Sequence, residues 1–190
     1  MNMADVTGTV LCGGQSLRMG RDKGLITENG KTRAECAASL LSAFSTRVVY
    51  SIHPRQSMTY REALPSVNFV EDLPRYQDIG PLGGLLSVHS AYPQSDILLL
   101  ACDMTRVTTA DLAALPVAAH EIAVYRIGEI FEPLCAYYAR TALEKITALF
   151  SKAALPRSLQ KILTLPELQV ISLRPGEPQR LVSQNEKYAE

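Results

Sequence analysis

The chain has 190 residues, of which 47% are hydrophobic, enough to build a real core and to exclude an intrinsically disordered protein. Nineteen Lys+Arg balance nineteen Asp+Glu, so the formal net charge is zero. That argues against a dedicated nucleic-acid or membrane-surface binder, whose affinity needs a basic excess. A small anionic ligand is still allowed, because it needs only a local site. The four cysteines, Cys12, Cys36, Cys102 and Cys135, are far apart and form no C-x-x-C pair. No zinc site or disulfide framework is expected, and the thiols read as free in a reducing cytoplasm. No basic stretch followed by a long apolar run opens the chain, so no signal peptide is expected, nor does any stretch approach a membrane span.

Apolar runs alternate with helical patterns. Residues 6–12 (VTGTVLC) are short, β-branched and stop at a double glycine, as a buried first strand does. A glycine- and charge-rich segment follows over 13–23. Thr32 to Glu35 form a capping box that opens an Ala- and Leu-rich helix over 36–44. Strands are expected at 47–52 (RVVYSI) and 67–71 (VNFVE), followed by a loop over 72–80 and a helix over 82–91 with Pro81 in its first turn.

Residues 96–102 (DILLLAC) make the strongest strand, apolar on both faces like a central parallel strand. Thr108 to Asp111 cap a short helix. Strands at 122–125 and 133–138, a helix capped by Thr141 and Glu144, and a last strand at 169–173 complete the pattern. The alternation predicts one domain of class α/β, a three-layer α/β/α sandwich on a mostly parallel sheet. Ligands of such sheets sit beyond the carboxyl ends of the strands, which points to the loops after Cys12, Ile52, Glu71 and Cys102.

The loop from Leu11 to Lys23 (LCGGQSLRMGRDK) is the most informative stretch. Gly13, Gly14 and Gly20 let backbone N–H groups approach a ligand closely. Arg18, Arg21 and Lys23 outweigh Asp22, so the loop is cationic as well as flexible. These properties describe a phosphate cradle, although neither G-x-G-x-x-G nor G-x-x-x-x-G-K-[ST] is present.

The segment resembles the L-x-G-G-x-S-x-R-M-G-x-D-K signature of the molybdenum cofactor guanylyltransferase (MobA) family and its nucleotidyltransferase relatives, with Cys12 at a usual alanine. Glu71-Asp72 followed by Gly80-Pro81-Leu82-Gly83-Gly84 is similar to that family's second segment. Ala101-Cys102-Asp103-Met104 is similar to its C-D-M-P segment, and Glu132-Pro133-Leu134 to its later P-L segment. The resemblance implies a Rossmann-like nucleotidyltransferase fold and transfer of a nucleoside monophosphate from an NTP to a phosphate, with release of pyrophosphate.

It implies that Lys23 and Arg18 contact the triphosphate while Leu11, Cys12, Gly13, Gly14 and Ser16 line the nucleotide. Asp103 emerges at the carboxyl edge of the sheet. A carboxylate there either caps the turn or holds Mg²⁺, and the resemblance favours the metal. Guanine carries N–H donors and calls for an acceptor, a role open to Asp72, which matches the family's base- or ribose-contacting acid. Gly13-Gly14 resembles the guanylyl branch, so GTP is the expected substrate and molybdopterin cofactor the expected acceptor.

Three positions depart from the pattern. His53 stands where an asparagine is usual, Thr105 replaces a proline, and Ser183-Gln184-Asn185-Glu186 replaces N-x-N-T-P. Other molybdenum cofactor biosynthesis proteins are the expected partners, with no nucleic acid and no membrane. A relative using another NTP or acceptor (cytidylyl or sugar-phosphate type) and a GTP-binding scaffold without turnover stay open. His89, His120, Tyr137 and Tyr138 read as structural.

Overall fold

The structure is a computed structural model that describes residues 5–12, 22–115, 121–152 and 156–183. In chain order its first half holds β1 (Val6–Leu11), β2 (Thr27–Glu28), β3 (Lys31–Thr32), α1 (Arg33–Leu41), β4 (Arg47–Ile52), α2 (Ser57–Ala63), β5 (Phe69–Glu71) and α3 (Pro81–Ala91). The second half holds β6 (Asp96–Ala101), α4 (Thr109–Ala114), β7 (Ile122–Ile127), β8 (Ile130–Tyr138), α5 (Arg140–Ser151), α6 (Leu159–Ile162) and β9 (Val170–Leu173).

Among the described residues, seven strands form one sheet in the order β5-β4-β1-β6-β8-β7-β9. β4, β1 and β6 pair in parallel, as do β4 with β5 and β7 with β9, while β8 runs against both its neighbours. The sheet is therefore mostly parallel, as expected. β1 and β6 lie at its centre, and every residue of β1 and all of β6 but Asp96 are buried, as in strands covered on both faces.

Two apolar layers sandwich the sheet. On one face Ala34, Ala37 and Leu41 of α1, Tyr60 of α2 and Leu112 of α4 pack on Val10, Leu98, Leu100 and Tyr137. On the other, Leu82, Leu85 and Leu86 of α3 and Leu143 and Ile146 of α5 cover Leu11, Val49, Ile97, Leu99 and Tyr138. Each fully buried Leu or Ile here contributes about 1.5–3 kcal/mol. Helix α3 is apolar nearly all round because it lies between the sheet and α5.

Local signals explain most boundaries. The capping box at Thr32 and Glu35 is present, and it starts α1 at Arg33, earlier than the apolar run proposes. Thr108 and Asp111 likewise cap α4. Pro81 opens α3 after Gly80, whose φ of 64° only glycine adopts readily. The helix after β8 is capped differently from the expectation. Thr141 and Glu144 do not cap α5; instead the Arg140 N–H donates to Asp96 Oδ1 at 2.7 Å, a carboxylate from the start of β6. A tertiary partner there displaces the local one.

Helix α2, helix α6 and the β2–β3 hairpin were not expected. The hairpin turns through Asn29 and Gly30, both at positive φ, the pairing that a two-residue loop demands. β5 is shorter than residues 67–71, and β8 begins at Ile130 rather than 133.

Candidate active site

β1, β4, β5 and β6 point the same way and end at Leu11, Ile52, Glu71 and Ala101 along one edge. From β1 the chain moves outward to β4 and β5, then crosses back to β6 on the other side of β1. The crevice at that switch, beyond the ends of β1 and β6, is where such sheets hold ligands.

Lys23 and Asp103, eighty positions apart in sequence, meet here. Lys23 Nζ donates to Asp103 Oδ2 at 3.3 Å, with 27% and 15% of the two side chains exposed, so the pair is shielded yet reachable. The turn after β6 is closed by its own backbone, with Met104 N–H donating to the Ala101 carbonyl at 3.2 Å. Glu132 of β8 is near enough to this pair for the Asp103 charge to act on it. Burial pushes the Glu132 carboxyl up, the Leu134 N–H at 3.0 Å draws it back, and the Asp103 charge raises it again. Sequence reasoning placed Glu132 in a motif without a role.

A second group of polar atoms lies at the ends of β4 and β5. Asp72 is 9% exposed, and burial, with the Asp78 charge beyond it, pushes its carboxyl up to about 7. Its Oδ1 has no hydrogen-bond partner, and neither has the Ser51 hydroxyl. Both face the backbone of Gly84. A Cβ there would stand 2.5 Å from Ser51 Oγ, 2.6 Å from Leu11 Cδ1 and 3.6 Å from Asp72 Oδ1. The glycine is what lets α3 pack this closely on β1 and β4.

His53 follows β4, and its Nδ1 accepts the Arg55 N–H at 3.1 Å. In the neutral ring the proton is then on Nε2, which lies 3.8 Å from Asp78 Oδ1 without a hydrogen bond. The ring thus offers one donor, where an amide would offer a donor and an acceptor.

Leu11 and Cys12 contribute differently from each other. Leu11 packs its side chain against Gly84 of α3. Cys12 packs into the core next to Cys102, and burial pushes its thiol well up. The backbone N–H of Cys12 donates to the Ser51 carbonyl at 2.9 Å. Arg18, Gly13, Gly14 and Ser16, with His120 and Asn185, lie outside the described residues. His89, Tyr137 and Tyr138 are buried away from this edge, Tyr138 donating to the Pro133 carbonyl at 2.9 Å, so they serve packing as read.

A six-to-one co-directional sheet, with a cation and a carboxylate meeting at its switch point, defines the class of Rossmann-like nucleotidyltransferase folds. Residues 8–169 match the family described as the MobA-like NTP transferase domain, and the chain belongs to that family. It is similar to a probable molybdenum cofactor guanylyltransferase of Nostoc sp., 32% identical over 178 residues, covering 90% of this chain and 83% of the relative. It is also 32% identical over 152 residues to a molybdenum cofactor biosynthesis bifunctional protein of Synechocystis sp., 77% of this chain but only 41% of that longer protein. In structure it resembles molybdopterin-guanine dinucleotide biosynthesis protein A from Archaeoglobus fulgidus, with a TM-score of 0.69 at 22% identity over 88% of this chain and 83% of the other. That likeness shows the fold.

Proposed function

We propose that the protein, acting as a single domain in the cytoplasm, transfers GMP from GTP to the terminal phosphate of molybdopterin cofactor. The products are molybdopterin guanine dinucleotide and pyrophosphate. The observation that carries this reading is the Lys23–Asp103 pair at the switch point, directly after the glycine-rich loop. The names of the relatives supply the acceptor class.

An acceptor phosphate oxygen attacks the α-phosphorus of GTP, the α–β P–O bond breaks, and its electron pair leaves with pyrophosphate. Two anions must be brought together, so the protein's work is positioning and charge neutralisation. Lys23 leaves Asp103 and donates to the triphosphate, helped by Arg18 and by N–H groups from Gly13, Gly14 and Ser16. Asp72, short of hydrogen-bond partners, accepts the guanine N1–H and N2–H, and binding these donors favours its ionised form. His53 Nε2–H supplies a donor at the same end.

Asp103 is the residue that would hold Mg²⁺, with Glu132 beside it. Among the described residues no three His, Cys, Asp or Glu side chains gather into a metal cage. That suits Mg²⁺, which takes one or two carboxylates, water and substrate phosphates rather than an all-protein cage. When bound, the ion neutralises phosphate charge.

The deciding experiment is pyrophosphate release by the purified protein with GTP, CTP or ATP and molybdopterin cofactor. Release with GTP alone is expected. Release with CTP alone, or GTP binding without release, would overturn the reading.

A further inference from the structure

We propose that Gln56 and Tyr60, on the segment after β4, are positioning residues that set where Lys23 stands. Neither lies in a motif that the sequence singled out. Both act on Asp22, which precedes Lys23 and caps the short turn Lys23–Leu25 by accepting the Gly24 N–H at 3.1 Å. Tyr60 donates its hydroxyl to the same carboxylate oxygen at 2.5 Å, and the Gln56 amide donates to the other oxygen.

Gln56 also reaches the Cys12 carbonyl at 3.4 Å and accepts the His53 N–H at 2.8 Å. One side chain thus touches the exit of β1, the cap of the Lys23 turn and the start of the His53 loop. Tyr60 is 0% exposed, and its ring meets Phe69 edge-on at 6.3 Å, so its hydroxyl has a fixed address. A Cβ on Gly24 would stand 2.2 Å from that hydroxyl, so the turn is pressed directly against it. With two donors and a backbone N–H on Asp22, the turn has one orientation, and it aims Lys23 at Asp103.

The effect on nucleotide rests on the reading of Lys23 as a triphosphate contact. The experiment is calorimetric titration with GTP and with GMP, each with Mg²⁺, on wild type, Tyr60→Phe and Gln56→Glu, alone and combined with Lys23→Ala. Tyr60→Phe should weaken GTP about tenfold, the loss of one hydrogen bond to a charged group, and Gln56→Glu by more, since it also sets a carboxylate against Asp22; both should leave GMP unchanged. In the Lys23→Ala background neither should lower the GTP-to-GMP ratio further, since residues acting through one partner are not additive.

A lower melting temperature with an unchanged ratio is the result of a purely structural role, and it overturns the proposal. Losses that add to that of Lys23→Ala overturn it too. Wild type that binds CTP and not GTP sinks the guanylyl reading alone, because the ratio of CTP to CMP then decides the positioning role. Wild type that binds no nucleoside triphosphate overturns both.

Discussion

The two ends of the crevice handle polarity in opposite ways. At the β1–β6 end the charges already answer one another: Lys23 meets Asp103, and Asp22 is held by three donors. At the β4–β5 end, Asp72 Oδ1, the Ser51 hydroxyl and His53 Nε2 are buried without a hydrogen-bond partner among the described residues. The first end must give up an internal ion pair to take a ligand, which preserves positional accuracy but spends binding energy. The second has nothing to give up, and an orphaned buried polar group costs about 1–3 kcal/mol until something answers it. Under the proposed function, one end acts on a charge and the other reads hydrogen-bonding groups. The division suits a nucleotide whose phosphates react and whose base does not.

Substitutions should separate the ends. The largest effect is expected from Asp103→Ala, which should abolish Mg²⁺-dependent pyrophosphate release while the melting temperature holds within a few degrees. Undiminished release would remove Asp103 from the metal site. Lys23→Ala should cost roughly 10²–10³ in turnover, as comparable preorganised charges do. It should weaken GTP more than GMP, and equal losses on both would count against its assigned contact.

The other end answers to a different readout. Asp72→Asn should lower discrimination between GTP and CTP with a smaller effect on turnover at saturation, measured as the ratio of kcat/KM values. Gly84→Ala should push α3 off Ser51 and Leu11, displacing Asp72 and so raising KM for GTP, at a cost of about 1–3 kcal/mol from the clash. Denaturant titration beside steady-state kinetics reads both, and an unaltered KM would move the base elsewhere.

The last effect is one of pH. Burial raises Asp72 from 3.8 to about 7, so between these values the folded chain holds a proton that the unfolded chain has released. Its contribution to stability is complete below about pH 4 and is lost as the pH rises towards 7. The melting temperature of wild type minus that of Asp72→Asn should therefore fall across that window. A difference flat in pH would show that Asp72 is ionised in the folded protein. GTP binding near pH 6 should release a proton, visible as a calorimetric enthalpy that follows the buffer's ionisation enthalpy.

Much of this was legible because the information is local. The β-branched run before Gly13, the apolar DILLLA stretch and the capping boxes at Thr32 and Thr108 each act through near neighbours, and each stands where the sequence places it. The expected cap of α5 failed for the opposite reason, since Asp96 supplies it from more than forty residues away. Asn29-Gly30 carried a hairpin signal that went unread. The roles of Glu132, Gln56 and Tyr60 had no such signal, because each is defined by a residue distant in sequence.

The sequence by itself determined the α/β class, the loop after β1 and the residue types needed for phosphate, metal and base, since periodicity and motif spacing report on neighbours along the chain. Only the tertiary structure decided which of those residues meet. It joined Lys23 to Asp103, turned the Cys12 side chain into the core, left Asp72 unanswered and hung the Lys23 turn on Gln56 and Tyr60. Contacts, burial and pKa depend on distances through space, and those are set by the order in which strands line up across the sheet.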